Sequence, residues 1–319
     1  MRKLGFSIFI ILLFLLAIFG GKIFSQKVWD GRNKINIVFI DQKVFIFSLD
    51  PQEKKAIILS LPPKTFIETI HGYGNYPLES VYKLGEQEGL DGGEFFTSSL
   101  QENLRIPIDG YVLISDFKET NLPSKPRGFI LACFMDLFWG RNKTNLKKGD
   151  IASLWLNFKK IRQDKISIVD LEKIDIAEKI ILPDGTEGFK INPQKFKKVA
   201  LEFFKDPQIR QENLEVAVLN STSYSGLATR VADLIENMGG RVVEVGEIKN
   251  SKFQTRLPDG QVPNFKCELR SKKEFKKSYT LKKLEKVFGC QWQEEEAGDY
   301  RGDLSLIVGE GYWKMLKEK

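Results

Sequence analysis

The residue types that most often carry catalysis or bind metals are scarce in this chain of 319 residues. His71 is its single histidine, which excludes metal sites built from several histidines and disfavours a Ser-His-Asp triad. The glycines around it, in the run His71-Gly72-Tyr73-Gly74, indicate a loop. Histidine chemistry is therefore not expected to define the function.

Cysteine chemistry is equally limited, because none of the three cysteines lies in a C-x-x-C pair. Cys133, Cys267 and Cys290 are interpreted by default as buried thiols. Cys267 and Cys290 belong to one predicted unit and can form a disulfide if the compartment is oxidising, but the sequence does not set their separation. Both interpretations stay open at this point.

Basic residues are the commonest groups that could bind a partner, and they give the chain a net charge of +7. Arg141 to Arg162 contains seven basic residues and the single acid Asp150, and Lys266 to Lys286 contains nine basic residues against three acids. Outside a cell such stretches suit anionic wall polymers or lipid headgroups, whereas nucleic acid would fit only a cytoplasmic body. Solvated helix faces are the alternative interpretation.

The N-terminus has the pattern of a membrane anchor. Arg2 and Lys3 precede an uncharged run of eighteen residues, from Leu4 to Gly21, which rises about 27 Å as a helix. A cleaved secretory signal is the alternative, but no small-x-small cleavage site follows the run. We predict a transmembrane anchor over residues 1–24, with a cytoplasmic N-terminus, and a single-pass plasma-membrane protein whose body is extracellular or periplasmic.

The chain after the anchor predicts a mixed α/β unit over residues 35–190. Apolar β-rich runs predict its first strands, and Pro51 and the charges after it predict a hairpin between the second and third. The predicted elements are strands at Ile35–Ile40, Val44–Leu49, Ala56–Leu61, Tyr111–Ile114 and Lys165–Val169, a helix from Gly92 that ends before Pro107, and a helix that begins at Thr144-Asn145. Pro193 to Phe204 predicts an amphipathic helix in a helical linker, residues 191–213, whose polar end marks a domain boundary.

The last third of the chain predicts a second, smaller α/β unit over residues 214–312. A strand at Glu215–Leu219, a helix with apolar residues from Leu227 to Met238 and a strand at Arg241–Val245 form one β-α-β unit. A strand near Phe265, a helix at Leu281–Phe288 and a strand at Leu304–Val308 follow. This order predicts a two-layer α/β sandwich.

The second unit resembles the C-terminal domain of LytR-type proteins. The resemblance is carried by Leu219-Asn220-Ser221-Thr222, by Ser225-Gly226-Leu227-Ala228 and by the closing Leu306 to Tyr312. Ser221 stands where that family often has glycine. Phe204-Lys205-Asp206-Pro207 resembles the linker that joins this domain to a LytR-CpsA-Psr catalytic domain.

The upstream unit resembles a degenerate LytR-CpsA-Psr domain. Ser48-Leu49-Asp50-Pro51, Ile57 to Pro62, and Ile106 to Tyr111 resemble its S-I-D-P, S-I-P and I-P-I-D-Y-Y motifs. The resemblance implies a fold whose active members move a polymer from a polyprenyl pyrophosphate carrier to peptidoglycan. Arginines grip the pyrophosphate there and carboxylates hold magnesium, in keeping with the bidentate fit of guanidinium to phosphate.

Most of those functional residues are missing from this sequence. Asp41-Gln42-Lys43 stands where the R-x-D-T motif belongs, and Lys64 replaces the arginine of P-R-D-T. A lysine can contact phosphate only as a point charge, and one carboxylate is a poor magnesium site. Lys64, Arg105, Arg127 and Arg141 are the candidate phosphate ligands that the resemblance leaves, and Asp41 is the candidate metal ligand.

Three functions follow from the resemblance. The first is an envelope-associated binding or scaffolding protein without transferase activity or a cofactor, whose partners are the membrane and an anionic wall polymer, peptidoglycan or a polyprenyl-phosphate lipid. The second is a divergent phosphotransferase that would need magnesium. The third is a membrane-tethered transcriptional regulator, for which the sequence offers no helix-turn-helix with a basic recognition helix. No nucleic acid partner is expected.

Overall fold

A computed structural model describes residues 29–41, 43–114, 126–174, 176–182, 185–248, 265–295 and 301–318 of the chain. Within those ranges, no helix combines the length and the apolar character that a bilayer crossing requires. The predicted anchor, residues 1–24, lies outside the described residues. The mixed α/β class is confirmed for the part of the chain that the structure covers.

The upstream unit is built on a six-stranded mixed sheet with the strand order β7-β6-β1-β2-β3-β8. β1 and β2, and β2 and β3, pair antiparallel, whereas β6 pairs parallel with β1 and β8 pairs parallel with β3. The strands are β1 (Ile35–Ile40), β2 (Phe45–Asp50), β3 (Lys55–Ser60), β6 (Gly110–Leu113), β7 (Lys143–Thr144) and β8 (Ile166–Asp170). Two hairpins flank this sheet: β4 (Phe66–Thr69) with β5 (Gly74–Pro77), and β9 (Ala177–Ile181) with β10 (Glu187–Ile191).

Both faces of the six-stranded sheet are covered, which explains why its central strands are apolar throughout rather than alternating. Ile37 and Phe39 of β1 lie in a core formed with helices α3 and α4, and Val38 and Ile40 lie in a second core on the other face. The helices of this unit are α1 (Leu78–Gln87), α2 (Gly92–Leu104), α3 (Pro126–Phe138) and α4 (Lys148–Lys159).

The C-terminal unit contains a five-stranded sheet with the strand order β12-β11-β15-β13-β14. β11, β12 and β15 are parallel, and β13 pairs antiparallel with β15. The strands are β11 (Glu215–Asn220), β12 (Arg241–Glu247), β13 (Cys267–Ser271), β14 (Gln291–Glu294) and β15 (Leu304–Val308). The helices from the linker onward are α5 (Pro193–Phe203), α6 (Pro207–Glu212), α7 (Leu227–Asn237), α8 (Tyr279–Phe288) and α9 (Glu310–Lys317).

Two sequence-based expectations are corrected here. Thr144-Asn145 does not begin a helix, because Thr144 pairs with Val112 in β7 and donates its hydroxyl proton to the carbonyl of Tyr111; the helix begins at Lys148. The default interpretation of buried thiols is wrong for Cys267 and Cys290, which form a disulfide between the start of β13 and the residue that precedes β14. Cys133 is a buried free thiol.

Candidate functional site

Two of the candidate ligands lie at one edge of the upstream sheet, where β1, β3 and β6 end and β2 begins. The backbone nitrogen of Leu61 donates to the carbonyl of Val44 (3.0 Å), and that of Ile114 donates to the carbonyl of Ile40 (3.0 Å). Asp41 directly follows Ile40 and is partly exposed. Lys64 follows Leu61 by three residues, so both side chains belong to the same edge.

Lys64 is presented to solvent by a tight turn. Its backbone is left-handed (φ 56°), and its carbonyl accepts a hydrogen bond from the nitrogen of Phe189 (3.0 Å). The next residue, Thr65, is buried and donates its hydroxyl proton to the carbonyl of Pro62 (2.7 Å). The backbone around Lys64 is therefore fixed, while its ammonium group is exposed as a point charge.

Arg141 borders the same edge and is exposed. It lies two residues before Lys143, which pairs with Leu113 at the end of β6. Its guanidinium forms an ion pair with Asp136 (2.9 Å), and its side chain is 73% accessible. Such an exposed pair is weak, so the group can exchange partners at little cost.

Arg127 is held in a different place by a backbone contact. Its Nη2 donates to the carbonyl of Lys159 at the end of α4 (2.7 Å). Its Nε is buried and has no hydrogen-bond partner among the residues that the structure describes. The guanidinium therefore ties α3 to α4.

Arg105 lies on the other face of the sheet, in a cleft of about 370 Å³ between the two units. It has a left-handed backbone (φ 53°) at the end of α2, and its Nε donates to the carbonyl of Glu102 (2.9 Å). Its Nη1 is 3.7 Å from a carboxylate oxygen of Asp233 in α7. Burial, and then the nearby Arg230, lower the pKa of Arg105. The structure thus does not bring Arg105 together with Lys64.

The cleft contains a buried carboxylate that the sequence did not single out. Glu102 accepts a hydrogen bond from the hydroxyl of Tyr312 (2.6 Å), and its other oxygen is 3.8 Å from Arg230. Burial, followed by the charge of Glu102, raises the pKa of Tyr312 well above its usual value. Tyr312 closes the motif that resembles the LytR-type domain, but its partner lies 210 residues away, so no local pattern indicates Glu102.

A second buried ion pair connects the units near the start of β6. Asp109 accepts from Lys283 of α8 (2.6 Å) and from the backbone nitrogen of Asn36 (3.0 Å). Burial alone would raise the pKa of Asp109, but Lys283 and Lys286 outweigh it, so the pKa lies below its usual value. These contacts fix the C-terminal unit against the upstream sheet.

The layer between the sheet and helices α3 and α4 is filled by aromatic rings. Phe39 stacks on Phe45 with 4.7 Å between ring centroids, and Phe47 packs edge-on against Phe158 (5.1 Å) and Phe134 (5.8 Å). All five rings are at most 1% exposed. The described residues therefore fill this layer with their own aromatic side chains.

Asp41 is not part of a cluster of metal-ligating side chains within the described residues. Over the described ranges, no group of three or more histidine, cysteine, aspartate or glutamate side chains is arranged to hold a metal ion. A magnesium site needs several hard oxygen ligands, and Asp41 contributes a single carboxylate.

Comparison with known proteins identifies the C-terminal unit. Residues 213–312 match the family model LytR_C, described as LytR cell envelope-related transcriptional attenuator. The sequence-based recognition of a LytR-type C-terminal domain is therefore confirmed. No curated protein sequence matches the chain.

Several solved structures are similar in fold to part of this chain. TagT of Bacillus subtilis is 14% identical with a TM-score of 0.40, over 55% of this chain and 91% of that one. A LytR-CPS2A-psr family protein, TagT with bound octaprenyl pyrophosphate lipid, is 16% identical with a TM-score of 0.37, over 55% and 90%. A transcriptional regulator from Enterococcus faecalis is 13% identical with a TM-score of 0.41, over 69% and 90%.

Proposed function

We propose that this chain, whose residues 213–312 form a LytR-type C-terminal domain, is a membrane-anchored binding or scaffolding protein of the cell envelope that lacks polymer-transferase activity. The anchor is the apolar run from Leu4 to Gly21. The body is extracellular or periplasmic, and the Cys267–Cys290 disulfide suits an oxidising compartment of that kind.

The observation that carries this proposal is the filled layer beneath α3 and α4. A transferase of the LytR-CpsA-Psr type must hold a polyprenyl chain in an apolar space while basic groups converge on its pyrophosphate. In this chain the phenylalanine rings of Phe39, Phe45, Phe47, Phe134 and Phe158 occupy the apolar layer. Truncating one buried phenylalanine in a packed core costs about 3–5 kcal/mol, so displacing several of these rings with a lipid chain would be strongly unfavourable.

The positions of the basic candidates support the same conclusion. Arg105 and Arg127 each donate to a backbone carbonyl, and they lie on opposite faces of the sheet. Of the four candidates, only Lys64 and Arg141 border the edge that Asp41 shares. Removing one preorganised charge contact from a transition state typically lowers the rate by about a hundredfold or more, so a site with several missing should be inactive.

The C-terminal unit offers a surface that suits an anionic wall polymer. Its short turn at residues 273–277 and the exposed side of α8 carry lysines that are exposed to solvent. Lys276 also lies over the ring of Trp292, with 4.1 Å from its Nζ to the ring centroid. The exposed lysines are Lys272, Lys273, Lys276, Lys277, Lys282 and Lys286. We name this set the lysine surface and infer that it binds the polymer by charge.

The transferase assay tests the first part of the proposal. The full chain, reconstituted in vesicles, is incubated with a lipid-pyrophosphate glycan, magnesium and a peptidoglycan acceptor. We expect transfer at the level of the protein-free control. Lys54→Ala is the matched control for Lys64→Ala, because both lysines are exposed and both have left-handed backbones, at φ 52° and φ 56°. Transfer above background that Lys64→Ala abolishes and Lys54→Ala preserves would establish the divergent phosphotransferase instead.

A binding assay tests the second part. The same vesicles are titrated with a soluble poly(glycerol phosphate) at low and high salt. We expect binding that weakens with salt, because surface charges are screened, and that falls several-fold in Lys276→Glu with Lys277→Glu. Lys159→Glu with Lys160→Glu is the control, because it makes the same charge change on the upstream unit. Equal losses in the two double variants would show that net charge, and not the lysine surface, governs binding.

A further inference from the structure

Helix α3 is apolar on the side that faces away from the core as well as on the side that faces it. Ile130, Cys133, Phe134 and Leu137 are buried against the sheet. Its outer side carries Ala132 and Met135 beside the partly exposed Asp136, Leu131 and Phe138 flank it and pack partly against the core, and Trp139 directly follows the helix. Met135 is 42% exposed and Trp139 is 69% exposed. A helix at a water-facing surface normally has a polar outer side, so this side suits an apolar environment.

Helix α4 packs beside α3 and extends the same surface. Leu156 is 44% exposed, and Lys159 lies over the ring of Trp155 at 4.7 Å. Exposed basic residues lie at or just beyond the ends of the two helices, and we call them the basic rim: Arg141, Lys143, Lys147, Lys148, Lys159, Lys160 and Arg162. We call this surface the α3–α4 face. Apolar and tryptophan side chains within a basic rim are typical of proteins that lie in the interface of an anionic membrane.

The first described residues of the chain contact helix α4. The backbone nitrogen of Trp29 donates to a carboxylate oxygen of Asp150 in the first turn of α4 (2.9 Å), and Asn157 of α4 donates to the carbonyl of Gly31 (3.2 Å). Seven residues separate Gly21, the last residue of the uncharged run, from Trp29. Eight steps of about 3.5 Å span at most about 28 Å, so the uncharged run ends within about 28 Å of Trp29 and therefore on the α4 side of the unit.

We propose that the α3–α4 face rests in the headgroup region of the anionic membrane that anchors the chain, with Met135, Trp139 and Leu156 inserted and the basic rim against lipid phosphates. A second copy of the chain is a poorer occupant, because a two-fold contact would bring two basic rims together. The proposal rests on the anchor in the proposed function, and it adds the orientation of the body: the lysine surface belongs to the other unit and remains available to the polymer.

Depth-dependent quenching in the full chain tests this orientation. Met135→Cys, Trp139→Cys and the reference Ile181→Cys are each labelled with a small fluorophore; Ile181 is 75% exposed and lies in β9, outside the face. The unaltered chain, with buried Cys133 and the Cys267–Cys290 disulfide, reports background labelling. The proteins are reconstituted in vesicles of phosphatidylglycerol and phosphatidylcholine that contain nitroxide-labelled lipid. Because interfacial helices insert about 5–10 Å, we expect quenching at 135 and 139 at least about threefold greater than at 181.

The charge contribution is measured in the same system. Lys159→Glu with Lys160→Glu should reduce quenching at 139, and so should vesicles of phosphatidylcholine alone. Lys276→Glu with Lys277→Glu, on the lysine surface, should leave quenching at 139 unchanged. Loss of quenching in both double variants would overturn the assignment of the basic rim to the lipid phosphates.

The remaining outcomes distinguish a failure of this proposal from a failure of the predicted anchor. If the chain stays in the vesicles after alkaline extraction but positions 139 and 181 are quenched equally, the face does not contact lipid, and the anchor stands. If extraction removes the chain, the anchor fails and the proposal fails with it. Shielding at 139 without lipid quenching, together with crosslinks between chains, would assign the face to a second copy and overturn the proposal.

Discussion

Glu102 and Asp109 are buried carboxylates of the upstream unit, and each one is paired with a side chain of the C-terminal unit. Within the described ranges, neither carboxylate belongs to a cluster of metal-ligating side chains. Neither lies at the edge of the upstream sheet that contains Lys64. Their partners, Tyr312 and Lys283, are buried as well. A buried charge without a partner is costly, so these residues make the relative position of the two units specific. Two predictions test that role.

Tyr312→Phe should destabilise the chain without changing its fold. The substitution removes the hydroxyl that donates to Glu102 at 2.6 Å and leaves a buried carboxylate oxygen unsatisfied, which costs about 1–3 kcal/mol. The free energy of unfolding is measured by urea titration. Tyr224→Phe is the control, because the half-buried ring of Tyr224 stacks on Trp313 and phenylalanine preserves the stacking. Equal losses in the two variants would contradict the role of the Glu102 contact.

Asp109→Asn should destabilise the chain by about 3–5 kcal/mol at neutral pH, because it leaves Lys283 buried without its counter-charge. The pKa of Asp109 is lowered by Lys283 and Lys286 despite burial. Its stabilising effect is therefore present above the unfolded pKa of about 3.9 and is lost as pH falls through the lower folded-state pKa. The difference in unfolding free energy between the wild-type chain and Asp109→Asn should consequently become smaller below about pH 4.

Chemical denaturation at neutral and acidic pH checks this behaviour. Asp164→Asn is the matched control, because Asp164 also pairs with a basic residue, Arg162, but both are exposed. It should leave the stability unchanged at either pH. A difference between wild type and Asp109→Asn that stayed constant down to strongly acidic pH would show that the carboxylate charge does not stabilise the fold.

At the scale of elements, helix α2 depends on glycine where it meets the sheet. A Cβ added at Gly93 would collide with the ring of Tyr111 in β6, and one added at Gly92 would lie 2.5 Å from the carbonyl oxygen of Tyr82. Gly93→Ala should therefore destabilise the chain by about 1–3 kcal/mol or more, as overpacking does. Gly128→Ala in α3 is the control, because no atom lies within 4 Å of its added Cβ. It should stabilise the chain by up to about 1 kcal/mol. Urea unfolding measures whether each substitution lowers or raises the free energy of unfolding.

Strands and helices with a clear pattern of apolar residues could be predicted from the sequence, and those without such a pattern could not. Strand β15 was predicted with its observed bounds, Leu304–Val308, because a short apolar run ends there at a glycine. Helix α3 was not predicted, because a helix that is apolar on both sides lacks the 3.6-residue period that identifies one. The apolar residues that obscure this period are also the residues that α3 contributes to the α3–α4 face.

The candidate site was predictable only in part, for a similar reason. Lys64 and Asp41 follow apolar strands, so their place at the end of the sheet follows from local pattern and from the resemblance. Glu102 and Tyr312 are separated by 210 residues, and the Cys267–Cys290 disulfide depends on how α8 returns to β13. A single sequence does not determine such long-range contacts, because they are set by tertiary packing.

For the whole molecule, the question is where the C-terminal unit begins. Its five-stranded sheet, helices α7 and α8 and the disulfide all lie after residue 214, which supports independent folding. Helix α6, within the predicted linker, nevertheless contacts it. Glu212 accepts from the backbone nitrogens of Tyr279 and Thr280 (2.8 Å each) at the start of α8, and Asp206 accepts from the hydroxyl of Tyr279 (2.7 Å).

We therefore expect a fragment of residues 214–319 to fold, and a fragment of residues 205–319 to be more stable by about 1–2 kcal/mol, since a helix N-terminus that loses its capping carboxylate loses about that much. Glu212→Gln in the longer fragment should remove part of the gain, because a carboxylate at a helix start also interacts favourably with the helix dipole. Urea unfolding followed by circular dichroism measures all three proteins. If the shorter fragment were unfolded while the longer one folded, α6 would belong to the domain itself, and the boundary would lie before Pro207 rather than after Asn213.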